Sequence, residues 1–254
     1  MSESISVVKR RFEEAGPEEL SALYREYGGD ERAGVRALIA KYSRGEEKLL
    51  AERARLAGMR EFEERYANCE FVCGIDEAGR GPLAGPVVAG AVILPKDCEI
   101  LYLNDSKQVS AKKREELYQE IMDKAVATGI GMASPQRIDE INILRATYEA
   151  MREAISKLGV VPDVLLNDAV TIPEVTICQV PIIKGDARSV SIAAASILAK
   201  VTRDRLMVQY EEILPGYGFA KHKGYGSQGH IEALKRLGTS PIHRKTFIGG
   251  ILER

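Results

Sequence analysis

Two adjacent carboxylates, Asp76 and Glu77, end the apolar run Phe71-Val72-Cys73-Gly74-Ile75, and a glycine-rich turn, Ala78-Gly79-Arg80-Gly81-Pro82-Leu83-Ala84-Gly85-Pro86, follows them. Charge at the end of a buried strand needs a cation, hydrogen bonds or solvent. An Asp-Glu pair alone would do no more than begin an exposed turn. The glycines after it let backbone approach a ligand closely, and Arg80 can reach a phosphate. The pattern G-x-x-x-x-G-K-[ST] is absent, which disfavours a nucleotide triphosphatase.

Two further aspartates stand where apolar segments turn polar: Asp168 after Val164-Leu165-Leu166-Asn167, and Asp186 in Ile182-Ile183-Lys184-Gly185-Asp186. Each by itself suits a local cap. Together with Asp76 and Glu77 they offer four carboxylates from separate segments at one edge of a sheet, an all-oxygen donor set that suits Mg²⁺ or Mn²⁺. Neighbouring residues of a regular strand point to opposite faces, so Asp76 and Glu77 share one site only where the strand departs from ideal geometry. Cys69, Cys73, Cys98 and Cys178 form no C-x-x-C pair, which argues for reduced thiols over a zinc site.

The net charge of −1 hides an uneven distribution. Residues 184–254 hold 12 Lys and Arg against 6 Asp and Glu, whereas residues 71–183 hold 11 against 16. A basic last third beside an acidic middle is consistent with cations that hold phosphate and carboxylates that hold metal, or with scattered solvated charge. With 45% hydrophobic and 29% charged residues, the composition excludes a disordered or fibrous chain. The chain has no run of about 18 apolar residues and no secretory apolar stretch at its start, so a cytoplasmic protein with no membrane contact is expected.

The elements that must position these residues follow from periodicity. Residues 1–68 read as a small helical extension, with apolar positions at helical spacing in 20–24, 35–39 and 49–56 and punctuation at Gly16-Pro17, Gly28-Gly29 and Gly45. From 69 to 254 the texture is that of one α/β domain. Strands are expected at 71–76, 87–94, 164–166 and 175–180, and helices at 110–127, 138–158 and 190–214, with Ser110 as an N-cap. The small residues from Ser191 to Ala199 suit a helix packed closely on a sheet. Lys200 shares a helical face with Ser196 and Asp204, so it is either pinned there or turned to phosphate.

Three blocks in order carry a resemblance to one family. They are residues 74–86, then Lys184-Gly185-Asp186 with Ser191-Ile192-Ala193-Ala194-Ala195-Ser196-Ile197-Leu198-Ala199-Lys200-Val201-Thr202-Arg203-Asp204, then Lys221-His222-Lys223-Gly224-Tyr225-Gly226 with His230 after it. This pattern resembles the ribonuclease HII signature, over residues 71–247. The resemblance implies a ribonuclease H-like mixed sheet flanked by helices, and an active site of Asp76, Glu77, Asp168 and Asp186. It implies two divalent ions, Mg²⁺ or Mn²⁺, with Asp76 bridging them, and 3′-hydroxyl and 5′-phosphate products. The implied substrates are RNA–DNA hybrids and duplex DNA containing ribonucleotides, cut on the 5′ side of a ribonucleotide by a monomer. Gly79, Arg80, Gly81 and Tyr225 are the implied sensors of the ribo-to-deoxy junction, and Lys184, Ser191, Lys200, Lys221 and His222 are implied substrate contacts. For His222, His230 and His243, phosphate contact or structural hydrogen bonding is expected ahead of general-base work.

One departure stands out: Asn167 occupies a position that is usually apolar in that family. Two rivals stay open at this point. A catalytically silent module would bind hybrids without metal-dependent turnover, and a transposase- or resolvase-like nuclease would not require a 2′-hydroxyl. Four intact carboxylates argue against the first, and the three ordered blocks against the second.

Overall fold

The computed structural model describes residues 3–252 and resolves into two compact units, one up to Arg55 and one from Leu56. In the first, α1 (Ile5–Glu14) starts at Ser4, whose side chain accepts from the Val7 amide, and α2 (Pro17–Tyr27) starts at Pro17 with Glu19 bonded back to the Gly16 amide. Val8, Phe12, Leu23, Tyr27 and Val35 form its core, with Tyr24, Tyr27 and Tyr42 packed round the Phe12 ring. The third helix, α3 (Ala33–Gly58), runs through Gly45 without a break, contrary to the expected punctuation. An exposed glycine inside a helix costs about 1 kcal/mol relative to alanine, too little to end one this long.

The second unit opens with residues 56–68, which helical periodicity alone assigns to the extension. Leu56 and Met59 pack with Val92, Leu103 and Leu198. On the short helix α4 (Glu61–Arg65), Phe62 packs with Val164, Leu166, Ile182 and Ile192, and Glu63 accepts from Ser189 Oγ at 2.5 Å and the Ser191 amide at 3.0 Å.

A five-stranded mixed sheet follows, in the order β3-β2-β1-β4-β5. Its central strand β1 (Val72–Ala78) runs antiparallel to β2 (Val87–Ile93) and parallel to β4 (Val164–Asp168). The outer strands are β3 (Ala127–Ala133) and β5 (Cys178–Ile182). Helices α5 (Ala111–Lys124), α6 (Pro135–Ile141) and α7 (Ile143–Ser156) lie between β2 and β4 in the chain, and α8 (Val190–Ile213), α9 (Phe219–His222), α10 (Gln228–Leu237) and α11 (Lys245–Leu252) come after β5. One face of the sheet is covered by α7, through Ala146, Ala150, Met151 and Ala154. The other is covered by α8, whose approach is close because Gly74 and Gly90 carry no side chain: a Cβ there would lie 2.1 Å from the Ser191 carbonyl carbon and 2.5 Å from the Ala195 carbonyl oxygen.

One strand is unexpected, and two expectations need correction. The alternation of Ala127-Thr128-Gly129-Ile130-Gly131-Met132-Ala133 is too small and glycine-rich to announce a strand, and β3 forms because β2 pairs with all seven residues. The expected helix 138–158 is two helices, since Asn142 takes a φ of 69° and caps α7 through its side chain. The last strand begins at Cys178, three residues later than expected, because the Gln179 amide bonds the backbone of Ile172 and Val175 and folds that stretch into a loop. Both edges of the sheet are interrupted: the Met132 amide of β3 donates to Glu153 at 2.8 Å, and β5 carries Pro181, which has no N–H. Among the described residues, no helix is long and apolar enough to cross a membrane.

The packing of residues 56–66 gives a testable boundary. A chain beginning at Leu56 should keep the melting temperature of the second unit. A chain beginning at Glu70 loses the Phe62 packing and the Glu63 bonds; at about 3 kcal/mol for a buried aromatic, its melting temperature should fall by at least about 6 °C. Calorimetry on the two shortened chains compares them directly.

Candidate active site

The parallel register of β1 and β4 sets Ile75 beside Asn167 and therefore Asp76 beside Asp168, both on the face covered by α8. Ladder pairing with β4 stops there, while β1 continues to Ala78 against β2 alone, which leaves Glu77 at an open notch on the β4 side. After β5, Lys184 takes a left-handed φ of 56° and starts a short 3-10 turn, Gly185–Ala187, that carries Asp186. The turn is tied to β4 by the Gly185 amide, which donates to Asp168 Oδ1 at 2.7 Å. Carboxylates from two strand ends and one turn thus meet at one end of the sheet.

Their electrostatics show how near they are. Burial raises the proton affinity of Asp76 well above the carboxylate range, and Glu77 and Asp168 add to it, against hydrogen bonds from Ser196 and the Glu77 amide. Glu77 is raised by burial and by Asp168, with Arg80 opposing from 3.4 Å. Asp186 is raised by burial, then by Asp105 and Asp168. Asp168 therefore presses on all three others. Asp76 is only 5% exposed and Asp186 9%, so solvent does little to relieve the repulsion.

The loop Asn104-Asp105-Ser106-Lys107 also reaches this site, and sequence reasoning misses it. Asp105 lies close enough to Asp186 to raise its proton affinity. Lys107 is pulled down by burial but raised overall by Asp105, Asp76 and Asp186. Ser106 Oγ lies 3.0 Å from Ser196 Oγ, deep under Asp76. The one signal in the sequence is a compact polar cluster of both charge signs outside any periodic element. Asn167, by contrast, faces the α7 layer by strand alternation and donates to Gln179 at 2.9 Å, away from the Asp168 carboxylate.

The glycine-rich loop is shaped by two buried guanidinium groups that sequence reasoning also passes over. Arg203 of α8 donates to the carbonyls of Pro86, Lys223 and Ala84, each at 2.9 Å. Arg244 donates to those of Gly85 at 2.9 Å, Arg80 at 2.8 Å and Gly79 at 2.6 Å. Both side chains are fully buried, and among the described residues neither has a salt-bridge partner. Gly79 has a φ of 95°, and a Cβ on it would sit 2.1 Å from Arg203 Nε, so both conformation and space demand glycine there. The loop is further paired by Gly85 N to Ile242 O and by Arg244 N to Leu83 O, both 2.9 Å.

Beside the loop, Leu83 donates to the Gly224 carbonyl at 2.8 Å, which docks the third block. The Tyr225 ring is 41% exposed, with Lys200 Nζ 5.6 Å and Arg203 Cζ 5.9 Å from its centroid. Lys200 itself is bridged to Asp204 at 2.8 Å. Arg80 and Lys107 thus act on the carboxylates, while Lys200 and Tyr225 lie together beside Arg203. Lys184 is exposed at the 3-10 turn and Lys221 is exposed on α9. Ser191 is buried against Gly74 under the sheet, and both ring nitrogens of His222 are engaged, with the Tyr217 carbonyl and the Gly224 amide. Among the described residues no three acidic, histidine or cysteine groups converge on one point as a closed metal cage. A hard divalent ion held by one or two carboxylates, water and substrate phosphate needs no such cage.

Comparison with known proteins identifies the family. The family model Ribonuclease HII matches residues 73–249, and that of the Ribonuclease HII N-terminal domain matches residues 4–67. A ribonuclease HII of Lachnoclostridium phytofermentans is 65% identical over 248 residues, 98% of each chain. The crystal structure of ribonuclease H2 from Pyrococcus horikoshii superposes with a TM-score of 0.61 at 30% identity, over 72% of this chain and 98% of that one. Bst-RNase HIII in complex with Mn²⁺ shares the fold at a TM-score of 0.58 and 17% identity, over 72% of this chain and 68% of that one. With the mixed sheet, the four carboxylates and the ordered motif blocks in place, the chain belongs to the ribonuclease HII family of ribonuclease H endonucleases.

Proposed function

We propose that this chain hydrolyses the RNA strand of RNA–DNA hybrids and incises duplex DNA on the 5′ side of an embedded ribonucleotide, leaving 3′-hydroxyl and 5′-phosphate ends. The observation that supports it most is the meeting of Asp76, Glu77, Asp168 and Asp186 beside the loop formed by Gly79, Arg80 and Gly81. Buried carboxylates that repel one another, with all-oxygen donors, fit two Mg²⁺ or Mn²⁺ ions. When bound, such ions supply an activated water and neutralise charge on the scissile phosphate.

The chain's own residues do the rest. Asp76, buried and repelled by Glu77 and Asp168, is the ligand that the family resemblance assigns to both ions. Glu77, Asp168 and Asp186 complete the donor set, and Lys107 and Arg80 temper its charge toward an incoming phosphate. The Gly79 and Arg80 carbonyls, fixed by Arg244, keep a second lone pair for a 2′-hydroxyl, which can donate as well as accept. Tyr225 offers its face to the neighbouring deoxyribose, and Lys200 and Lys184 stand where backbone phosphates of the duplex would pass.

The direct test is duplex DNA carrying one ribonucleotide, with and without Mg²⁺ or Mn²⁺. The wild-type chain should cut 5′ to the ribonucleotide only with metal, and Asp76→Asn should lose at least about 100-fold in rate while still binding substrate. Near-normal turnover of that variant would remove the assignment.

The raised proton affinities predict a stability signature. The folded state holds protons on Asp76, Glu77 and Asp186 more tightly than the unfolded chain does. Their contribution is therefore fully present below the ordinary carboxylate pKa and is lost as pH rises through the raised values. These groups should make the metal-free protein melt lower at pH 8 than at pH 5.5. Divalent ions should raise the melting temperature more at pH 8 than at pH 5.5, and Asp76→Asn should shrink that difference.

Tyr225→Ala should weaken binding of the embedded ribonucleotide by no more than a stacking contact, about 1–3 kcal/mol, and lower the rate further by misplacing the scissile bond. A core tyrosine would instead lower the melting temperature and leave the folded fraction fully active.

A further inference from the structure

The chain's three histidines form one stack beneath Tyr225, outside the carboxylate site. The His222 and His230 rings are 4.3 Å apart and 15° from parallel, and His230 Nε2 lies 3.0 Å from His243 Nε2. His230 and His243 are buried. Their hydrogen-bond partners fix where each proton sits. The Ser240 amide can only donate, and it points at His243 Nδ1 at 2.9 Å, so that nitrogen is bare. The Tyr225 carbonyl can only accept, and it lies 2.8 Å from His230 Nδ1, so that nitrogen carries hydrogen. With both rings neutral, His243 Nε2–H donates to a bare His230 Nε2, and the two ends agree on one direction. His222 is fixed likewise, donating from Nε2 to the Tyr217 carbonyl and accepting the Gly224 amide at Nδ1.

We infer that His243 and His230 are positioning residues for Tyr225: a one-way relay from the Ser240 amide through two neutral imidazoles to the Tyr225 carbonyl sets the ring against the substrate sugar. A proton added to His230 would set two N–H groups against each other at 3.0 Å, and one added to His243 would set Nδ1–H against the Ser240 amide at 2.9 Å. Burial and the neighbouring histidines oppose that proton, bringing His243 down to about 4 and lowering His230. Tyr225 is also held by its amide, which donates to the His222 carbonyl at 2.9 Å, by the Ser227 amide, which donates to the Tyr225 carbonyl at 2.8 Å, and by Lys200 and Arg203 beside its half-exposed ring. The relay thereby bears on the backbone that carries the exposed Tyr225 ring.

This inference rests on the reading of Tyr225 as the ring that meets the sugar, and the test separates the two. Long-range ¹H–¹⁵N spectra of the full chain should show His230 protonated at Nδ1 and His243 and His222 at Nε2; the opposite tautomer at His230 overturns the relay. On duplex DNA with one ribonucleotide, His230→Leu should lower kcat by up to about 10-fold with little change in KM, the scale of one hydrogen bond lost to the Tyr225 carbonyl. His230→Asn, which restores an N–H donor at the Nδ1 position, should recover most of that loss. In a Tyr225→Ala background His230→Leu should add little. If His230→Leu is additive to Tyr225→Ala, or costs melting temperature with full activity per folded molecule, the relay fails while the role of Tyr225 stands. If Tyr225→Ala itself is fully active, both fail together. Should His230→Leu not fold, the wild-type tautomers and the Asn variant still decide.

Discussion

Two guanidinium ions with no salt-bridge partner among the described residues hold this candidate site in shape. Arg203 and Arg244 are buried, and burying a cation is costly unless its donors are met. Here they are met by six backbone carbonyls, five of them in residues 79–86 and one on Lys223. Arg244 feels the second guanidinium beside it as well as its own burial, and both oppose its charge. The carbonyls are what make the arrangement tolerable, so the loop cannot relax without stranding a charge. The constraint runs outward from there: the loop fixes the end of β1, Arg203 fixes α8, and Lys223 fixes the block that bears Tyr225.

The carboxylate end of the sheet is the complement of that arrangement. Gly74 and Gly90 let the backbone of α8 press on the sheet, and Ser196 on that helix then lies under Asp76. The fold thus forces like charges together with little solvent between them, which raises their proton affinity, and on the proposed reading a divalent ion would answer the same repulsion. A more comfortable site, with each carboxylate paired to its own arginine, would hold metal less well.

Much of this is legible in the amino-acid sequence alone. The carboxylates Asp76, Glu77, Asp168 and Asp186 stand at junctions between apolar and polar segments, and a strand end is visible as such a junction. The glycine spacing of 79–85 likewise announces a backbone that must turn tightly. What is not legible depends on who meets whom. Arg203 and Arg244 read as solvated charge because burial of an arginine is decided by carbonyls far away in sequence. Asp105 and Lys107 lie in a loop with no periodicity, and only the α8 packing brings them to Asp186. The strand β3 is invisible because its alanines and glycines fit the α7 backbone, a demand that its partner makes and its own pattern does not show. Asn167 reads as a departure from an apolar position, and strand alternation turns it to the layer opposite Asp168, where it bonds Gln179.

The interrupted edges of the sheet have a consequence for the molecule in a crowded cell. At β3 the Glu153 carboxylate already occupies the Met132 amide, and at β5 Pro181 offers none. An incoming strand would find its hydrogen-bonding ladder broken within a few residues on either side. The sheet is closed to growth, so neither a second copy nor an unfolded neighbour can extend it. Two side chains thereby remove the route to aggregation that an open β-edge provides.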